Sequence, residues 1–206
     1  MTIVSIVPEQ FTLVEFDAER VKAIAAEVAK SVAFPSDVDI HIEVDEVLPA
    51  PLNSSQADYL EGRADLWFTG GAFEDTHKGR NIDEVLTRCG LGASLLRVKD
   101  RISGGFEDAP NDSEISERQR ALWDAYADGR LTRIEGFVIR EPRRRYVYRL
   151  ECGFNDVADA AYDQLWASDA TTWADLLEIE ARLIEADPTE RGAKPSVRRI
   201  SLRQTQ

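Results

Sequence analysis

Apolar spacing divides the chain into a first half of strands and helices and a helical second half. The central pattern is Asn81 to Arg101, NIDEVLTRCGLGASLLRVKDR. Ile82, Val85, Leu86, Cys89, Ala93 and Leu96 make one stripe at helical spacing, and Leu91, Leu95, Val98 and Ile102 make a second on another face. A helix that is apolar on more than one side is buried between layers. Asn81 and Glu84 have the spacing of a capping box at its start, and Gly104 with Gly105 ends it. Gly90 and Gly92 lie inside, each costing about 1 kcal/mol against Ala. That cost is expected where something packs close to the backbone, or where the helix kinks.

Ahead of this helix, Ile3 to Val7 reads as a short strand. Asp17 caps a helix from Ala18 to Ser31 whose apolar face is Val21, Ile24, Ala25, Val28 and Val32. Strict alternation makes Val38 to Glu46 a strand, with Val38, Ile40, Ile42 and Val44 on one face and Asp39, His41, Glu43 and Asp45 on the other. Leu48 to Leu60, rich in Pro, Asn and Ser, reads as a loop. A second strand runs from Ala64 to Gly70, and a polar loop leads from there to the central helix.

The acidic stretch Phe106 to Asp112 is the expected boundary between residues 1–108 and a helical half, 109–188. Ser113 would cap a helix carrying Ile115, Leu122, Trp123 and Tyr126, with helical spacing continuing through Val138 to Pro142. Tyr146 to Leu150 alternates like a strand, but its helical neighbours favour a helix. Asn155 or Asp156 caps the next helix. Thr172 with Asp175 caps the last, which stops before Pro188. Residues 189–206 are polar and basic without apolar pattern and are expected to be mobile. The expected fold class is α+β: a small mixed sheet and a buried central helix, with the helical half packed against them.

Composition narrows the function. At 206 residues and a formal net charge of −13, the chain repels nucleic acid unless a local patch overrides its field. No stretch approaches the ~18 apolar residues of a membrane span. The two cysteines, Cys89 and Cys152, form no C-x-x-C pair and lie among apolar neighbours, as expected of buried thiols in a cytoplasmic protein. Twenty arginines against five lysines suggest a GC-rich bacterial genome.

Charge is unevenly distributed. Residues 1–110 carry 20 acids and 10 bases, whereas residues 130–149 carry 7 bases and 2 acids. The basic cluster is Arg140, Arg143, Arg144 and Arg145, with Tyr146 and Tyr148 interleaved and Arg149 nearby. Arginine with tyrosine can hold phosphates and stack on bases. Alternatively, the cluster forms an ion-pair network with the acidic first half or with a second subunit. His41 and Glu43, with His77 from the following loop, offer a mixed nitrogen and oxygen set for a metal-dependent hydrolase. No nucleophile elbow or phosphate loop is present, so no cofactor is implied.

From Asp17 to Ile102 the element order resembles the small zincin-like metallopeptidases, with VDIHIEVDE and ADLWFTG standing for two of that family's strands. In that family the final helix carries H-E-x-x-H. Here the helix from Ile82 to Ile102 contains no histidine, so the resemblance implies a fold without the activity, and no catalytic residue carries over. The leading expectation is a non-enzymatic protein acting through a protein partner or self association.

Overall fold

The computed structural model of the protein describes residues 2–75, 77–103 and 105–186. The predicted tail, 189–206, lies outside them. Four strands, β1 (Val4–Val7), β2 (Asp39–Asp45), β3 (Ser55–Leu60) and β4 (Arg63–Thr69), accompany six α-helices among the described residues. These are α1 (Ala18–Ser31), α2 (Glu84–Ser103), α3 (Glu117–Leu131), α4 (Glu141–Cys152), α5 (Asp156–Ala167) and α6 (Trp173–Ala186). The fold is α+β, built on a small mixed sheet.

The sheet order is β1-β2-β4-β3, with β1, β2 and β4 parallel and β3 antiparallel to β4. Alternation sends Ile6, Ile42, Leu66 and Ala57, which align across the four strands, to the buried face. There they join Val21, Ile24 and Val28 of α1 and Leu91, Leu95 and Val98 of α2 in one core. A second core unites α3 to α6 around Trp123, Tyr162, Leu165 and Leu176. Helix α3 serves both, because Ala127 and Leu131 belong to the first cluster and Leu122 and Trp123 to the second.

Strand β3 corrects the expectation of a loop from Leu48 to Leu60. Only Ala57 of its six residues is buried, so its apolar alternation is almost silent. Its remaining signal is the two-residue turn Glu61-Gly62, with φ of 51° and 85°, which joins it to β4 as a tight hairpin.

Two helix starts also differ. Asn81 and Ile82 are held in backbone bridges to Glu15 and Glu74, so α2 begins later. Asp83 caps it, its Oδ1 accepting from the amides of Val85 at 2.9 Å and Leu86 at 3.0 Å. Ser116, not Ser113, caps α3 in a capping box with Gln119. The chain from Asn111 to Ile115 is first occupied in a turn that buries Asp112. Helix α2 is buried on several sides, although Val85 of its first stripe is exposed.

Asp112 lies within a cluster of buried charge. It is fully buried, and its carboxylate pairs with Arg97, with Arg101 at 2.8 Å and with Arg120 at 3.1 Å. It also accepts from the Ala57 amide at 2.8 Å, while its own amide donates to Asp58 Oδ1. Burial pushes the Asp112 carboxyl upward, but the three guanidinium groups outweigh it and hold the group below the ordinary carboxylate range. Asp100 beside it takes both arms of Arg130 and the indole N–H of Trp123. Arg97 and Arg101 stack on the Trp123 ring at 5.1 and 4.8 Å.

Two glycines test the packing. A Cβ on Gly90 would meet Phe68 at an ordinary 3.7 Å, whereas one on Gly129 would fall 2.2 Å from the Trp166 backbone oxygen, where α3 crosses α5. Chemical denaturation should therefore find Gly90→Ala stabilising by up to about 1 kcal/mol. The same measurement should find Gly129→Ala destabilising by about 1–3 kcal/mol or more. Equal effects at both positions would contradict the α3–α5 contact.

Removing the carboxylate from the charge cluster should cost far more than a surface ion pair. Asp112→Ala leaves three guanidinium groups facing an apolar gap and an unpaired Ala57 amide, and is expected to lose about 3–5 kcal/mol or to fail to fold. A loss below about 1 kcal/mol would mean that the cluster is hydrated.

Candidate functional site

The sequence from Glu141 to Cys152 is a helix, and Pro142 starts it. Proline lacks an amide hydrogen, which is no loss in a first turn, and its fixed φ suits that position. This corrects the expectation that α3 would continue to Pro142. Helix α3 ends at Leu131, and the intervening chain inserts Phe137 against Gly92, where an added Cβ would lie 2.6 Å from the ring. At about 100° per residue, Tyr148 and Cys152 share the inner face of α4, while Arg143, Val147 and Leu150 share the outer face. Burial follows that division: Tyr148 and Cys152 are buried, and the outer three are exposed.

The inner side consumes charge. Arg144 reaches the buried Asp128 of α3 at 2.7 Å. Arg145 pairs with Glu141 and Asp163 and lies over the Tyr162 ring at 4.4 Å. Arg149 grips Asp159 with two hydrogen bonds of 2.7 Å. All these acids belong to the helical half, not to the acidic first half that the charge asymmetry suggested. Tyr148 is buried against Tyr162, with ring centroids 5.1 Å apart, so it presents no face to a base.

The outer side leaves charge and apolar surface free. Arg140, Arg143 and Glu151 are exposed and make no ion pair among the described residues. Between and beyond them, Tyr146 is 56% exposed, Val147 46%, Leu150 56% and Phe154 63%. Tyr146 and Phe154 meet edge to face at 6.1 Å. Val138 and Val157 are exposed on the flanking segments. Of the predicted residues, Arg140, Arg143 and Tyr146 therefore stand on this face, while Arg144, Arg145 and Tyr148 are turned inward. Val147, Leu150, Glu151 and Phe154 were not singled out from sequence. Their 3- and 4-residue spacing from Arg143 reads as one face only once a helix is assumed.

The alternative metal set is not assembled. Among the described residues, no group of three or more His, Cys, Asp or Glu side chains could hold a metal ion. His41 lies on the open face of the sheet, its Nδ1 2.9 Å from Ser5 Oγ. Asp65, its neighbour across β4, pairs with Arg63 at 2.9 Å. No carboxylate orients the His41 ring among the described residues, so Ser5 and His41 lack the third member of a catalytic triad. His77 is exposed in its loop, and its amide donates to Asp75. Both cysteines are buried free thiols, and burial pushes Cys152 up to about 12, which suppresses the reactive thiolate.

Comparison with protein-family models, with curated proteins and with solved structures finds no match.

The seat of α4 should be sensitive to pH through Asp128. Burial pushes its carboxyl up to about 6, against the pull of Arg144. Between about pH 4 and 6 the folded chain keeps a proton that the unfolded chain has released, so this group's contribution to stability falls as pH rises through that window. Asp128→Asn removes the effect. Relative to the parent, its unfolding free energy should rise by up to about 1.4 kcal/mol per pH unit across the window. An unchanging difference would mean that Asp128 is ionised throughout.

Proposed function

We propose that this protein acts without catalysis, by binding another protein or a second copy of itself through the outer face of α4. The observation that carries this role is the exposed stripe Tyr146, Val147, Leu150 and Phe154, bordered by the free cations Arg140 and Arg143. Contiguous apolar surface of this kind on a folded monomer marks an interaction site. Tyrosine, phenylalanine and arginine are the residue types enriched at such interfaces.

Binding of nucleic acid is a weaker account of the same residues. Arg144, Arg145 and Arg149 are spent on internal carboxylates, and the whole-chain charge opposes polyanions. Two free arginines make a short phosphate track. Free, buried thiols suit a reducing compartment, so we place the protein in the cytoplasm. No helix among the described residues is long and apolar enough to cross a membrane.

A photoreactive side chain at position 147, activated in intact cells of the native host, should form a discrete adduct with a protein identified by mass spectrometry. Leu150→Arg combined with Phe154→Arg should abolish that adduct while shifting stability by no more than about 0.5 kcal/mol, as for exposed positions. Absence of any protein adduct at 147 would remove the basis for the docking role.

A further inference from the structure

The order of groups along α4 specifies one occupant. Its outer face begins with the free cations Arg140 and Arg143, continues through Tyr146, Val147 and Leu150, and ends at the free anion Glu151 followed by Phe154. A face that is basic at one end, apolar in the middle and acidic at the other complements itself when reversed. Val147 lies midway between Arg143 and Glu151. A two-fold axis through Val147 would then set Arg143 against Glu151 of the second copy. The cation would meet an anion, and the contact would occur twice.

Resting on the docking role proposed above, we infer that a second copy of this chain covers α4, the two helices packing antiparallel about Val147. The contact is isologous, so it closes at a dimer and does not propagate. Solvation costs little at the paired charges, because both lie at the rim and keep water on one side. Four apolar side chains make a small contact beside the ~800 Å² per partner of a standard interface, so the dimer dissociates on dilution and its association weakens with salt.

Register is tested by disulfide trapping. Cys89 and Cys152 are buried and stay silent. Val147→Cys should oxidise to a covalent dimer, because a residue on the axis faces its own copy. Arg143→Cys alone should not, since the two copies of that residue would stand about 12 Å apart along the helices. Arg143→Cys combined with Glu151→Cys should cross-link.

Charge exchange tests the pairing without cysteine. In sedimentation equilibrium, Arg143→Glu and Glu151→Arg should each weaken the dimer about tenfold or more, and the double exchange should restore it. All three residues tested are exposed, so an unchanged melting temperature certifies the fold. Failure of Val147→Cys to cross-link, or of the double exchange to recover, overturns the dimer. A monomer at every concentration, together with a photo-adduct at 147 to a different protein, overturns the dimer and leaves the docking role standing. No adduct at 147 overturns both.

Discussion

A carboxylate with no access to water must satisfy its charge and lone pairs inside the protein, and Asp112 does so by joining three elements. Its oxygens reach the unpaired edge of strand β3, two arginines of α2 and one of α3. Stripping an ion of water costs several kcal/mol even after relaxation, so the arrangement persists only with near-complete pairing. That demand fixes where α2 and α3 stand relative to the sheet. It also treats a hazard: the edge strand β3 offers unpaired amides, and Asp112 takes the Ala57 amide while Arg120 reaches the Ser55 carbonyl. The acidic stretch between the halves thus carries, at its last residue, the main bond between them.

Placement then passes down α3. Trp123 lies between the two sets of charges, stacked under Arg97 and Arg101 and donating to Asp100. One turn later Asp128 seats Arg144, which fixes the inner face of α4, and Arg145 and Arg149 tie α4 to α5. A twelve-residue helix is marginal in isolation, and α4 buries little apolar surface beyond Tyr148 and Cys152. Ion pairs therefore carry an unusual share of its placement. The arginine that stabilises the fold is distinguished from the arginine left exposed by its angle around the helix, not by its place in the cluster.

The same geometry explains what the sequence disclosed. Helix α1 with its Asp17 cap, strands β2 and β4 and the Thr172–Asp175 cap were legible because period and end signals agreed. Strand β3 was not, because an edge strand with one buried residue has almost no period. Asn81 and Ser113 were plausible caps whose backbones were already engaged in bridges or a turn, which local sequence does not reveal. Asp112 read only as the end of the acidic stretch, since its partners lie 8 to 55 residues away. Of the candidate site, the arginine cluster was visible as composition. Its division into inner and outer members was hidden, because Tyr146, Tyr148 and Leu150 alternate like a strand and Pro142 reads equally as a stop or a start.

The outer face of α4 differs from the rest of the surface in how its charges are used. Across the helical half, arginines are matched to carboxylates: Arg133 with Asp169, Arg145 with Asp163 and Arg149 with Asp159. In a chain with a net charge of −13, anions are in surplus, so a cation without a partner is the less expected state. Arg140 and Arg143 are such cations, and they border exposed apolar side chains that gain nothing from water. Exposed pairs contribute only about 0–1 kcal/mol, so matching these arginines within the fold would have added little stability. Under the docking role proposed above, leaving them free would preserve long-range attraction toward an anionic group on an arriving surface, and the adjacent apolar stripe would supply the short-range contact once that surface is aligned.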